Sequence, residues 1–185
     1  MEIPMLRAAT VALFGLSLVV GEARAADPLA AIPARGDDAD RKSKNGRLEV
    51  DVGEAKVVVS YGRPMTRGRK VWGGLVQYGK VWRTGADEAT TFTTTKPVKV
   101  QGQRLDAGTY ALFTLPGKSD WTLIFNRQAK QWGAYKYDPK LDALRVETKS
   151  KSAEMTESLS FEPTEDGIRL RWGKVSVPIA LSPAD

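Results

Sequence analysis

The chain has 185 residues and a formal net charge of +6, and it contains neither cysteine nor histidine. Without cysteine no disulfide stabilises the fold, and without histidine the Ser-His-Asp and Cys-His mechanisms and histidine-dependent metal sites are excluded. The basic surplus favours acidic partners such as anionic glycans, although it also serves solubility.

Residues 1–25 have the pattern of a secretory signal peptide. The apolar run Ala8–Val20 has the length of an h-region, about 7–15 residues, and Ala23-Arg24-Ala25 supplies an A-x-A cleavage pattern. The run is shorter than the roughly 20 apolar residues of a membrane-spanning helix. The sequence therefore predicts a cleaved signal helix, export to the periplasm or the medium, and no permanent membrane span. Export also argues against nucleic acid as a partner.

Residues 26–46 are rich in alanine, proline and charge, and apolar periodicity begins only at Leu48. Alternating charge blocks are typical of a solvated segment. The sequence therefore predicts a flexible tether over residues 26–46 and a single domain over residues 47–185.

Within the domain, apolar residues alternate with a period of two. The predicted strands include Lys56–Tyr61, Thr90–Thr95, Thr109–Pro116, Trp121–Asn126, Ser158–Glu162 and Ile168–Trp172. Gly173-Lys174 has the pattern of a two-residue turn into a last strand. Because no helical crossovers separate the strands, the sequence predicts an all-β fold. The expected architecture is an antiparallel β-sandwich, or a barrel-like variant, of about nine or ten short strands.

Residues 62–88, the Gly/Trp/Arg segment, concentrate glycine, tryptophan and arginine. Glycine permits unusual backbone conformations, tryptophan offers flat apolar surface, and arginine offers a fixed fork of donors. This combination indicates a shaped loop region, which is the best candidate for a functional surface.

Several long strings of residues are unusual. They are Y-x-R-P from Tyr61, G-R-K-V-W-G-G-L-V from Gly68, Y-G-x-V-W-R-T-G-A-x-E-A-T from Tyr78, A-G-T-Y-A-L-F-T-L-P from Ala107 and Q-W-G-A-Y-K-Y-D-P from Gln131. Together they resemble a family of exported bacterial proteins known only as a domain of unknown function. The resemblance covers roughly residues 48–181 and implies export and a β-rich fold, but it supplies no catalytic residues.

Arg63, Arg69 and Arg83 each lie beside glycine or an aromatic residue. Arginine forks bind carboxylate or phosphate in a bidentate manner, so three of them can form an anion pocket. In the competing interpretation they pair with Asp87, Glu88 and backbone carbonyls and fix the loops.

Aromatic residues offer flat faces to sugar rings, and several stand in or near the loops: Trp72, Trp82, Trp132, Tyr135 and Tyr137. Gln131 and Asp138 are available as hydrogen-bonding neighbours. The competing interpretation is that the large aromatic side chains fill the core of a domain without disulfides.

Asp87 and Glu88 are the basis of a second functional class, hydrolysis by paired carboxylates. Such a pair needs a separation of about 5–9.5 Å. Neighbours in a strand point to opposite faces, so either acid would need a distant partner such as Glu54, Asp138 or Asp142. Asp138–Asp142 also lacks the spacing of a calcium loop.

The sequence thus predicts an exported, monomeric β-sandwich that binds an anionic or carbohydrate-like ligand. The candidate binding residues are Arg63, Arg69, Trp72, Trp82, Arg83, Asp87 and Glu88. No catalytic residue, metal or cofactor is predicted. Two alternatives stay open: a carboxylate-dependent hydrolase, and a structural domain of the cell envelope that binds a protein along an exposed strand edge.

Overall fold

The computed structural model describes residues 27–184, so the predicted signal peptide lies outside the described residues. The ten strands are β1 Lys44–Val52, β2 Ala55–Arg63, β3 Thr90–Thr94, β4 Val98–Val100, β5 Gln103–Leu105, β6 Gly108–Leu115, β7 Asp120–Asn126, β8 Asp142–Lys149, β9 Lys151–Thr164 and β10 Gly167–Pro183. One short 3-10 helix, Pro139–Leu141, precedes β8. Between residues 27 and 184 no helix has the length and apolar character needed to cross a membrane.

The strands form two sheets in which every pairing is antiparallel. The larger sheet has six strands in the order β1-β2-β3-β6-β7-β8, and the smaller has four in the order β5-β4-β10-β9. The prediction of an all-β antiparallel sandwich of about nine or ten strands is therefore confirmed.

Strand alternation divides the apolar residues of the six-stranded sheet between its two faces. Phe92, Leu112 and Phe125 are fully buried and belong to the core cluster that includes residues of the four-stranded sheet. Phe113 and Ile124 lie on the opposite face and form a second cluster, against which Val81, Ala134 and Tyr137 pack. The outer face of this sheet is therefore covered by loops, which are held in place by apolar contacts.

The chain that leaves β2 joins the two sheets at one edge. The Thr66 N–H donates to the carbonyl of Glu157, and the Leu159 N–H donates to the carbonyl of Pro64, both at 2.9 Å. These bonds attach the start of the Gly/Trp/Arg segment to β9. The sandwich is therefore closed on this side, in the manner of a barrel.

The predicted turn at Gly173-Lys174 is wrong, because β10 runs unbroken from Gly167 to Pro183. The register with β9 shifts on both sides of Gly173, whose φ is 59°. A glycine in the left-handed region within an antiparallel pair forms a β-bulge, and a bulge carries the same glycine signature as a turn. The strand continues past the bulge and pairs with both β9 and β4.

Tyr61 connects the two sheets. Its ring packs edge-on against Phe161 with centroids 4.8 Å apart, and its hydroxyl accepts a hydrogen bond from the buried Phe161 N–H at 3.1 Å. Tyr61→Phe keeps the ring but leaves that N–H without its acceptor. We expect the free energy of unfolding to fall by about 1–3 kcal/mol, as measured by urea denaturation.

Tyr110→Phe is the matched control. The Tyr110 hydroxyl donates at 3.0 Å to the carbonyl of Asp106, an exposed residue that water can reach. Its loss should cost at most about 1 kcal/mol. Equal losses in the two variants would contradict the linking role of Tyr61.

Candidate functional site

The acidic pair Asp87-Glu88 is bound by arginines from the N-terminal segment. Arg41 donates to the two carboxylate oxygens of Glu88 at 2.7 and 2.5 Å and lies 3.4 Å from the Asp87 carboxylate. Arg35 lies 3.2 Å from Glu88 and donates to the carbonyl of Ala86 at 2.9 Å. The two acids are therefore neutralised from outside the Gly/Trp/Arg segment.

These contacts determine the protonation state of Glu88. Hydrogen bonds from Arg41 lower the pKa of Glu88 from 4.5 to about 2, although burial opposes the change. The same hydrogen bond raises the pKa of Arg41, whereas burial lowers the pKa of Arg35 despite the attraction of Glu88. A general acid needs a raised pKa, so Glu88 does not support the hydrolase alternative.

Residues 27–46, for which the sequence predicts a flexible tether, contact the domain at several points. Besides the two arginines, Pro28 accepts a hydrogen bond from the Thr109 hydroxyl at 2.7 Å, and β1 already begins at Lys44. The segment also supplies lining residues to a cavity lined by Asp87 and to another lined by Glu88.

The first cavity, which we call the Arg83 cavity, has a volume of about 380 Å³. Four basic residues and one acid line it: Lys42, Arg67, Arg69, Arg83 and Asp87. The acid already interacts with Arg41. The charge that faces the cavity is therefore predominantly positive.

Arg83 differs from its neighbour Arg69 in how its donors are used. Arg69 donates to the backbone carbonyls of Thr66 and Met65 at 3.0 and 2.9 Å. The Nε of Arg83 is buried and has no hydrogen-bond partner within residues 27–184. A buried donor without a partner costs about 1–3 kcal/mol, so Arg83 has the unused donor of a ligand-binding group.

Tryptophans form the apolar wall of the Arg83 cavity. Trp82 and Trp172 line it and are stacked, with centroids 5.9 Å apart and an interplanar angle of 17°. Trp72 contacts both rings edge-on and reaches Trp121 at 4.9 Å, and its indole N–H donates to the Trp172 carbonyl. Trp72 therefore connects the wall to the core.

The backbone around Arg83 is strained. Arg67, Thr84 and Asp87 have φ values of 49°, 54° and 62°, a region that a β-branched residue such as threonine rarely adopts. The Thr90 hydroxyl holds Thr84 in place by donating to its carbonyl at 2.9 Å. Strain of this kind persists where surrounding contacts fix it, and it clusters at functional sites.

Of the predicted binding residues, the structure brings Arg69, Trp82, Arg83 and Asp87 together at the Arg83 cavity. The other three lie elsewhere. Arg63 is exposed at the end of β2, with its Nε 3.5 Å from the carbonyl of Leu159. Trp72 lies behind the tryptophans that line the cavity, and Glu88 lines a different cavity.

Sequence reasoning missed Lys42 and Trp172, which also line the Arg83 cavity. Lys42 lies in the segment predicted to be a tether, and Trp172 has the alternation of a core strand. For Trp172 the missed signal is its neighbour Gly173, whose bulge brings the strand close to Trp72: a Cβ on Gly173 would lie 3.7 Å from the Trp72 indole nitrogen.

The acids named as distant partners for a hydrolase are used in other contacts. Asp142 accepts hydrogen bonds from Tyr137 at 2.7 Å, Arg145 at 2.9 Å and Asn126 at 2.8 Å. Burial, followed by the bond to Asp142, raises the pKa of Tyr137 to about 12. Glu54 is exposed and pairs with Lys96. Within residues 27–184 no cluster of three or more acidic side chains is placed to hold a metal ion.

Glu88 should make the stability of the domain depend on pH. Its pKa is lowered from 4.5 to about 2, so its contribution is complete above pH 4.5 and is lost as the pH falls towards 2. We expect Glu88→Gln to lower the free energy of unfolding by about 1–3 kcal/mol at pH 7. The difference from the wild type should close towards pH 2 in denaturation curves recorded across this range.

Glu54→Gln is the control, because it makes the same substitution in an exposed ion pair, Glu54–Lys96. Exposed pairs contribute little, so its effect at pH 7 should stay below about 1 kcal/mol. A Glu88→Gln effect that persists unchanged at pH 2 would show that the charge of Glu88 is not what stabilises the loops.

Comparison with known proteins gives a family but no activity. No curated protein and no solved structure has a significant match to the chain. A family model matches residues 43–181, a range that contains the whole Gly/Trp/Arg segment and most of both sheets. The resemblance seen in the sequence strings is therefore confirmed. The chain belongs to the family described as "Protein of unknown function (DUF2911)".

Proposed function

We propose that this protein is a binding module for a small anion that carries a ring or another apolar body, and that the ligand occupies the Arg83 cavity. The observation that carries the proposal is the buried Nε of Arg83, which has no partner within residues 27–184. A carboxylate or phosphate would accept the hydrogen bonds of this guanidinium in a bidentate manner.

The charge around the cavity supports an anion in preference to a neutral ligand. Lys42, Arg67 and Arg69 line the same space as Arg83, and the carboxylate of Asp87 is engaged by Arg41. Because Arg41 rather than Arg83 contacts the Asp87 carboxylate, the Nε of Arg83 is left without a partner among the described residues.

The tryptophan wall supports a ligand with an apolar face. Trp82 and Trp172 line the cavity together with the buried side chain of Val76. The volume of about 380 Å³ lies within the range of small-molecule sites, about 300–1,000 Å³. An acidic sugar or an aromatic carboxylate combines both features. Because residues 1–25 have a signal-peptide pattern, we place this binding outside the cytoplasm.

The two alternatives receive less support. Glu88 and Asp142 are engaged by arginine and hydrogen-bonding neighbours, which disfavours a hydrolase built on them. A purely structural domain gives no role to the Nε of Arg83, which has no partner among the described residues.

The proposal is tested by isothermal titration calorimetry of the full chain with glucuronate, benzoate and inorganic phosphate. We expect at least one of them to bind, with an affinity that falls as salt is added. Arg83→Gln should weaken that binding by about 10- to 100-fold, since a hydrogen bond to a charged group contributes about 1.5–3 kcal/mol. The melting temperature of the variant should not fall, because the Nε has no partner to lose within the described part of the chain.

Arg63→Gln is the control, because it removes the same charge from an exposed residue outside the cavity. Its effect on anion binding should be less than about 2-fold at 0.15 M salt. Equal weakening by the two substitutions would show that the effect comes from the net charge of the protein and not from a site at Arg83. If none of the three probes binds, the proposed anion site is wrong.

A further inference from the structure

A second cavity, which we call the Thr91 cavity, lies on the other side of Glu88. Its volume is about 530 Å³. The N-terminal segment contributes Arg35, strand β3 contributes Thr91, and the loop between β7 and the 3-10 helix contributes Gln131, Trp132 and Tyr135. It shares no lining residue with the Arg83 cavity.

Two buried polar atoms in the lining have no hydrogen-bond partner within residues 27–184. They are the Oγ1 of Thr91 and the Oε1 of Gln131, and these residues are only 4% and 8% exposed. The amide nitrogen of Gln131 donates to the carbonyl of Gln128 at 2.7 Å, which fixes the amide and leaves its oxygen unused. Buried polar groups in folded proteins are nearly always satisfied, so two orphans in one cavity indicate a ligand that satisfies them.

The chemistry of these two atoms selects the ligand. An amide oxygen only accepts hydrogen bonds, so the ligand must bring a donor. An ionised carboxylate or a fully ionised phosphate ester has no donor, and a cationic amine would meet the exposed Lys130 and Lys136 in the same lining. A neutral hydroxyl group donates to Gln131 and both donates to and accepts from Thr91.

Two exposed aromatic side chains complete the site. Trp132 is 59% and Tyr135 is 86% exposed, although large aromatic residues are usually buried on folding. Their faces offer flat apolar surface to the C–H face of a sugar ring, while their polar tips stay in water.

The walls are fixed before any ligand arrives. The Ala89 N–H donates to the carbonyl of Gln131, and the Gly133 N–H donates to the carbonyl of Asp87, both at 3.0 Å. Arg35 attaches the N-terminal wall to Glu88 at 3.2 Å. Preorganisation of this kind lowers the entropic cost of binding.

We infer that the Thr91 cavity binds a neutral hydroxyl-rich ring, such as a pyranose residue of a glycan. The ring packs on Trp132 and Tyr135, and its hydroxyl groups bond to Thr91 and Gln131. The inference is independent of the proposed anion site.

The test uses the full chain with cellobiose, maltose and N,N′-diacetylchitobiose. Calorimetry and saturation-transfer NMR should show saturable binding of at least one disaccharide. Thr91→Val should weaken it by about 3- to 10-fold, the value of one neutral hydrogen bond. Trp132→Ala should weaken it by about 10-fold, and Tyr78→Ala, which removes another exposed aromatic side chain from outside the cavity, should not.

Thr93→Val is the matched control for stability. Thr93 lies two residues along β3 on the same face, and its hydroxyl donates to the Thr109 hydroxyl at 3.1 Å. Its loss should lower the melting temperature by about 2–4 °C, whereas Thr91→Val should leave it unchanged or raise it, since no bond within residues 27–184 is lost.

Three results would overturn the inference. One is the absence of saturable binding by all three disaccharides, and another is binding that Thr91→Val leaves intact. The third is a loss of stability in Thr91→Val equal to that in Thr93→Val, which would assign the hydroxyl to the fold. Glucuronate, benzoate and phosphate are titrated into the same variants, so that failure of this site is seen separately from failure of the anion site.

Discussion

The arrangement of this end of the molecule depends on the binding of Asp87 and Glu88 by Arg35 and Arg41. The acids of the loop are neutralised by a segment that lies far from them in sequence, and the Nε of Arg83, which lines a cavity with Asp87, has no partner among the described residues. The same contacts hold the N-terminal segment over the sheet, where its residues line both cavities. Asp87 lines one cavity and its neighbour Glu88 lines the other, so the acidic pair lies between the two spaces.

The Gly/Trp/Arg segment contains both residues that stabilise the fold and residues that line the candidate site. Trp72 packs against the core, and Arg69 caps backbone carbonyls of its own loop. Gly62 is required by close packing, because a Cβ there would lie 2.4 Å from the carbonyl oxygen of Ala86. These residues hold the strained backbone on which Arg83 and Trp82 are presented. The structural and the functional interpretations of the sequence therefore apply to different residues of one segment.

The fold was predictable in outline because alternation is a local signal, and it is clear in stretches such as Ile168–Trp172. The bulge at Gly173 was not, since glycine in the left-handed region serves bulges and turns alike. The composition of residues 62–88 predicted where the site lies but not how its residues pair. Asp87 and Glu88 pair with arginines far away in sequence, and the spacing of residues along the chain does not reveal such pairs. The sequence gives no signal for the Thr91 cavity, because a threonine in a threonine-rich strand has the same sequence pattern whether or not its hydroxyl forms a hydrogen bond.

The position of β10 in the four-stranded sheet has a consequence for how the chain folds. β10 pairs with β4, whose residues lie some eighty positions earlier, and with β9, which in turn binds the chain after β2. The β4–β5 hairpin therefore has no neighbour within its sheet until β10 has been synthesised. Such non-local topologies fold slowly, in about milliseconds to seconds, and expose strand edges meanwhile. Until the last strand arrives, the edge of β4 that pairs with β10 is therefore open to association with other chains.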